Sequence, residues 1–343
     1  MSIFSWLFNR PKALKSATAA KHQPAQAQSG GAQRVPRPSA QIRRDKLFLR
    51  VESLEFSGSY QLSQSKKWAI AWRDSDPSAG RGGHRESGLG AYVLADLGSG
   101  TVSCHGSMPR PNNGHVCDTG MFCLEDWHFG STLSGTFSVY DPSGFVIFAK
   151  ELTANILTSG ISRHGKYAFC ATANSPTDHG NKVFLFDLVN RVETYCVSPE
   201  AGWPDSYEVD EGTGELMAVF ADMGSFQYDI DGRFIDADRL GNAKLNSSRY
   251  DLIILAAESL LGEVGLTDER AREVLAAVQR ARSHGADENP AWKPIALKVQ
   301  GLAHEQLGQY PEAAQVYEEA LALNPKIGVK RRLTSASKRI KAE

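Results

Sequence analysis

Between Lys46 and about Leu240 the chain alternates short apolar runs with turn residues, at a spacing too brief for helices. Four versions of one phrase recur: YVLADLGSG (92–100), FSVYDPSG (137–144), VFLFDLVNR (183–191) and FQYDIDG (226–232). Each is a β-branched or aromatic run that ends in an aspartate and a turn. The aspartates Asp96, Asp141, Asp187 and Asp229 lie 45, 46 and 42 residues apart. A second phrase precedes each one: SKKWAIAW (65–72), TGMFCLEDW (119–127), HGKYAFCAT (164–172) and TGELMAVFAD (213–222). These predict a turn followed by a buried strand. From Asn246 the period becomes helical. RYDLIILAAESLLGEV places Leu252, Ile253, Ala256 and Leu260 at helical spacing. The next segment opens on Thr267 as an N-cap, with acids in its first turn, and closes at Gly285. After the ADENP break come a further helix pair and a tail, KIGVKRRLTSASKRIKAE. The tail predicts a last helix with Ile327, Leu333 and Ile340 on one side and a basic outer face.

A period near 45 residues with two hairpins per unit is what a four-stranded propeller blade requires. The units resemble blades of WD40-like and YVTN-type β-propellers, without the Gly-His and Trp-Asp signatures of the true WD40 family. The resemblance implies an antiparallel propeller of about four to five blades, closed or nearly closed, over residues 46–245. KLFLRVESLEF (46–56) supplies a further strand that could close the ring by completing the last blade. Propellers of this kind generally bind other proteins through their loops, and some host an active site in the central channel.

The last helix pair resembles a tetratricopeptide (TPR) repeat over 294–327. The resemblance rests on Gly301, Gly308, Tyr310, Ala313, Tyr317, Ala320 and Pro325 at the family's spacing. Gly301 and Ala320 let two antiparallel helices approach, Tyr317 fills the space between them, and Pro325 ends the second. Leu297, Gln300 and His304 depart from the pattern, where the family prefers Trp, Leu and Tyr. The predicted fold class is mixed, with an all-β propeller followed by an all-α TPR-like domain over 246–343 with a basic capping tail. Residues 1–45 form an arm and linker too poor in apolar residues to fold.

Composition changes this picture in one respect. The chain of 343 residues has a net charge of −1, but the charge is segregated. Residues 1–44 carry eight Lys or Arg and no acid, and 326–343 carry seven against the single Glu343, leaving a body of 23 basic and 38 acidic residues. Residues 3–15 place an apolar stretch ahead of Arg10, Lys12 and Lys15, which suits an anionic membrane surface or a partner groove. No run of about 18 apolar residues is present. Five cysteines without a CxxC point to a reducing, cytoplasmic setting. The basic tail, Lys330, Arg331, Arg332, Lys338 and Arg339, reads as the outer face of a capping helix rather than a nucleic-acid site.

Candidate chemistry is sparse. Cys104, His115 and Cys117 could bring three zinc ligands together at best, since His105 follows Cys104 directly and points away on a strand. The glycine-rich stretch 79–90 lacks the Walker arrangement and reads as a hairpin loop, with Arg81, His84 and Arg85 as charged contacts. DIDGRFIDADR lacks the closing Glu of a calcium loop. Asp205, Glu208, Asp210 and Glu211 read as a solvated loop. Trp72, Trp127 and Trp203, near strand or loop ends, and His304 on the helix pair are the candidate partner contacts. No cofactor and no small-molecule substrate are indicated. The sequence therefore predicts a non-enzymatic, bacterial interaction scaffold or adaptor that binds one or more proteins. The rivals are an enzyme, lyase or hydrolase, with its site in the propeller channel, and a membrane-peripheral assembly factor.

Overall fold

The computed structural model describes residues 41–74, 86–129 and 133–342. The recurrent phrases fold as successive antiparallel hairpins. The first sheet runs in chain order through β1 (Ile42–Arg44), β2 (Phe48–Val51), β3 (Phe56–Leu62), β4 (Trp68–Arg73), β5 (Gly90–Asp96) and β6 (Thr101–Met108). The second holds β7 (Pro111–Val116), β8 (Phe122–Asp126), β9 (Gly135–Tyr140) and β10 (Val146–Leu152). The third holds β11 (Ile156–Ile161), β12 (Tyr167–Thr172), β13 (Val183–Asp187) and β14 (Val192–Val197). The fourth has three strands, β15 (Ser206–Val209), β16 (Leu216–Phe220) and β17 (Gly224–Tyr228). The lead strands β3, β7, β11 and β15 run next to one another, so the sheets are four propeller blades converging on an axis.

Alternation within the middle strands explains this order. On β8, Phe122 and Leu124 join Ile70, Tyr92 and Leu94 of the first sheet, while Cys123 joins Ala168, Cys170, Phe184 and Phe186 of the third. On β13, Phe184 and Phe186 face the second sheet, and Val183 and Leu185 face Leu216, Ala218 and Phe226 of the fourth. Each such side chain contributes about 1.5–3 kcal/mol on burial, so a strand apolar on both faces belongs between two others.

The recurring aspartates hold the turns that follow their strands. The Oδ1 atoms of Asp96, Asp141, Asp187 and Asp229 accept from the backbone amides of Gly98, Ser143, Val189 and Asp231 at 2.9, 2.8, 2.9 and 3.0 Å. A second set of contacts joins the blades to one another through the turns leaving the lead strands. Asp118 accepts from the Ser65 amide at 2.7 Å and from Arg163 Nε at 3.0 Å. Glu211 accepts from Ser162 Oγ, the His164 amide and His164 Nδ1 at 2.6, 2.7 and 2.6 Å. These ties run from blade one to blade four in sequence order.

The segment expected to complete the last blade is placed elsewhere. β2 pairs with the first half of β3, residues 56–59, and β4 with the second half, 59–62. β1 and β2 thus extend the first sheet, and Leu49 and Val51 cover Ala69, Ala71, Val93 and Ala95 on its far face. Among the described residues no apolar cluster spans the fourth and first sheets. The fourth sheet turns half-buried or polar side chains outward there, Glu208, Met217, Ser225 and Gln227, where a closed ring would need a second apolar face.

Six helices follow: α1 (Ala237–Leu245), α2 (Tyr250–Leu260), α3 (Asp268–Ala281), α4 (Lys293–Gln306), α5 (Tyr310–Leu323) and α6 (Lys330–Ile340). The first lies ahead of the boundary expected at 245/246 and joins the two halves. Its Leu240 enters the cluster between blades three and four, and its Leu245 enters the cluster of α2, α3 and α4. Thr267 caps α3 by accepting from the Arg270 amide at 3.2 Å, and Gly285 takes φ +113° where the chain leaves that helix. A Cβ on Gly301 would lie 2.3 Å from the Tyr317 ring, so only glycine lets α4 and α5 close on that side chain. Among the described residues no helix is long and apolar enough to cross a membrane.

Burial works against both turn carboxylates, but the Ser65 and Arg163 donors hold Asp118 at about 2, and the Ser162 and His164 donors hold Glu211 at about 2. A depressed carboxylate stabilises the fold above its unfolded pKa, near 4, and that contribution disappears as pH falls toward 2. Thermal melts of the intact protein will therefore lose stability over this window. Asp118→Asn and Glu211→Gln will each cost about 1 kcal/mol at neutral pH, discounted for solvent screening, and will flatten the acid limb.

Candidate functional site

The lead strands do not share the apolar character of the strands behind them: β7 reads PNNGHV, β11 ILTSGI and β15 SYEV. Crowding near the axis favours small residues. A Cβ on Gly160 would meet the Phe169 ring at 2.4 Å. Asn113 of β7 and Ser159 of β11 meet at Glu125, near the end of β8.

Glu125 is 1% exposed. Its Oε1 accepts from Asn113 Nδ2 at 3.1 Å and Ser159 Oγ at 2.7 Å, and its Oε2 from Trp127 Nε1 at 2.9 Å. Among the described residues no Lys or Arg pairs with it. Asn113 and Ser159 lie on the lead strands of different blades, so the carboxylate ties blade two to blade three. The other amide hydrogen of Asn113 faces His115 Nε2 at 3.4 Å, which places the ring proton on Nδ1. Enclosure by protein atoms lowers the His115 pKa to about 4, although one edge of the ring borders a cavity. The imidazole is neutral near pH 7.

That cavity, about 380 Å³, is bordered by His115, Ser159, Gln64, Thr158, Ser206 and Glu208. Arg163 also reaches it, but its guanidinium is held by Asp118 at 3.0 Å. Among the described residues no hydrogen bond joins any two of His115, Arg163 and Glu208; the hydroxyls of Ser159 and Ser162, which also border the cavity, donate to Glu125 and Glu211. Nearer the rim, burial raises the Asp126 carboxyl, whose Oδ1 accepts from the Arg110 amide at 2.9 Å, and Arg110 pairs with Asp74 at 3.1 Å.

A second concavity lies in the helical part. α2, α4 and α6 form its walls and enclose about 590 Å³ bordered by Glu258, Leu261, Lys298, Leu302, Tyr310 and Arg339. Lys298 pairs with Glu258, and Arg332 with Glu305 at 2.7 Å, which also receives the Tyr317 hydroxyl at 2.7 Å. The Arg339 guanidinium lies over the Tyr310 ring at 5.6 Å.

The sequence candidates are dispersed. Trp72 packs at the interface of blades one and two, Trp127 donates to Glu125, and Trp203 is 58% exposed in the loop before β15. His304 is buried, with Nδ1 at 2.7 Å from Gln309 Oε1 and Nε2 at 3.4 Å from Gln300 Nε2. Gln300 Oε1 in turn accepts from Arg282 at 2.6 Å. Two of the three positions that depart from the TPR pattern, Gln300 and His304, thus belong to one internal polar chain. Cys104 is buried between blades one and two, Cys117 sits in a turn near Thr119, and His115 lines the axis. Among the described residues no group of three His, Cys, Asp or Glu is placed to hold a metal. Lys330, Arg331 and Lys338 are exposed, whereas Arg332 and Arg339 turn toward the groove. Arg81, His84, Arg85 and residues 3–15 lie outside the described residues. The sequence reading passed over Glu125 and Asn113 entirely, and Glu211 looked like solvated charge.

Residues 294–327 match the tetratricopeptide repeat family. No curated protein matches the chain. Among solved structures, the Dos1 propeller is similar over 53% of this chain and 46% of that chain, at 13% identity and a TM-score of 0.33. The match therefore spans under half the length of that chain.

Glu125→Gln preserves shape but turns one acceptor into a donor opposed to Trp127 or to the Asn113 and Ser159 pair. It will destabilise the protein by about 1–3 kcal/mol in chemical denaturation, with no change in far-ultraviolet circular dichroism.

Proposed function

We propose that the protein is a non-enzymatic scaffold that holds a partner protein in the groove of its helical repeat and offers the loops of its blades as a further platform. The observation that carries this reading is the open concavity between α2, α4 and α6. It combines exposed edges of Leu261 and Leu302 with a row of charges on rigid helices. Repeat architectures of this kind display extended surfaces. Two of the cations in the groove are already matched to carboxylates, whereas among the described residues Arg339 is set only against the Tyr310 ring. An extended segment of a partner that brings an acidic side chain to Arg339 and an apolar one to Leu302 fits this face best. The enzyme alternative receives less support, because among the described residues His115, Arg163 and Glu208, which border the axial cavity, are not hydrogen-bonded to one another. The cytoplasmic and membrane-peripheral settings rest on sequence composition alone.

Point changes test this better than truncation, because cutting after Asn246 would strip Leu245 of its helical neighbours and Arg280 of its bond to the Leu245 carbonyl. Affinity purification with mass spectrometry should recover a specific companion with the intact protein. Leu302→Glu combined with Arg339→Glu should weaken that companion's binding about tenfold or more while the melting temperature holds. Equal recovery by both forms would place the partner elsewhere.

A further inference from the structure

We propose that the axial cavity between blades two, three and four binds a small, neutral, polyhydroxylated molecule, of the size and chemistry of a monosaccharide or cyclitol. This site is separate from the helical groove and does not depend on it.

The cavity wall carries polar groups that the fold leaves unused. Among the described residues, the side chains of Gln64, Thr158, Ser206 and Glu208 and the Nδ1–H of His115 make no hydrogen bond to the protein. Ser159 spends its proton on Glu125 and also meets the Cys123 thiol, so one lone pair remains as an acceptor. Among the described residues the wall thus offers the His115 N–H and the Arg163 Nη groups as donors, Glu208 and Ser159 as acceptors, and three groups that can be either. About 380 Å³ lies at the small end of the range occupied by small-molecule sites, roughly 300–1,000 Å³.

Charge then narrows the class. Glu125 is fully buried behind Ser159 with no cation beside it, and Glu208 stands at the opening. Arg163, the one cation at the wall, is already held by Asp118. A phosphate or carboxylate ligand would meet the Glu208 carboxylate and, at Arg163, only a charge already paired with Asp118, so anions are disfavoured. A simple cation would satisfy the acceptors but would leave the His115 N–H pointing at a group unable to accept. A molecule with several hydroxyls, each able to donate and accept, answers every group at once. The role of Glu125 follows: by accepting from both Asn113 and Ser159 it sets the direction of the hydrogen bonds presented to the cavity, including the tautomer of His115.

The test uses the intact protein and ligand-observed saturation-transfer NMR. The neutral probes are D-glucose, D-ribose and myo-inositol, with glucose 6-phosphate as the anion and agmatine as the cation. At least one neutral probe should bind saturably, with a dissociation constant on the order of 1 mM. His115→Phe keeps the ring and removes the donor, and Glu208→Ala alters only the exposed rim, so the second remains informative if the first fails to fold. Each should weaken binding about three- to tenfold, while Arg339→Glu in the helical groove should leave it unchanged. Absence of saturable binding by any neutral probe at about 10 mM would overturn the proposal. So would a preference for glucose 6-phosphate or agmatine, or wild-type affinity in both axial variants.

Discussion

Strands β4, β8, β12 and β13 carry apolar side chains on both faces, and such strands are stable only between two other layers. The arrangement of the β part follows from that constraint. Blade two sends Phe122, Leu124 and Tyr140 one way and Cys123, Phe137 and Val139 the other, and blade three divides its residues in the same manner. Blades one and four sit at the ends of this succession, and each meets its exposed face differently. Blade one covers its far face with Leu49 and Val51 from a strand added to its own edge, beside Phe56 of β3. Blade four keeps only one strongly apolar face, formed by Leu216, Ala218, Phe220, Phe226 and Tyr228, and receives α1 at its edge.

The axis is polar for a related reason. Where the lead strands converge there is no room for a second layer of large side chains, so glycine, serine and asparagine replace the Phe and Val of the outer strands. Such residues carry donors and acceptors that must be answered. Glu125 answers two of them, Asn113 and Ser159, together with the Trp127 indole, from the strand behind, at the cost of burying a carboxylate without a cation. Breaking any one of these contacts leaves a group in the dry interior, so blades two and three are held in register by polar as well as apolar contacts.

Much of this was legible in the order of residues. The aspartate phrase could be read because one local mechanism, a carboxylate accepting turn amides within four residues, repeats at Asp96, Asp141, Asp187 and Asp229. The TPR pair was legible because Gly301 and Tyr317 mark a close helix crossing. What escaped is non-local. Glu125 meets Ser159 across 34 positions, and Glu211 meets Ser162 across 49, so no window along the chain contains both partners. The pairing of β2 with β3 was equally hidden: KLFLRVESLEF reads as strand, but its composition does not say which edge receives it. The tail helix was visible as amphipathic, yet its basic face is divided, because Arg332 finds Glu305 across 27 residues and Arg339 finds Tyr310.

The junction between the two halves is the last consequence of these contacts. α1 presents Leu240 to the blades and Leu245 to the helices, while Arg239 reaches the Ser225 carbonyl and lies over the Phe226 ring at 4.8 Å. On the helical side, Arg280 donates to the Leu245 carbonyl and Arg270 to Asn242. Nine residues of helix thus share one core with each neighbour, and no flexible stretch intervenes at that point. A protein that binds in the helical groove is therefore held at a fixed position relative to blade four, whose lead strand β15 forms one wall of the axial cavity.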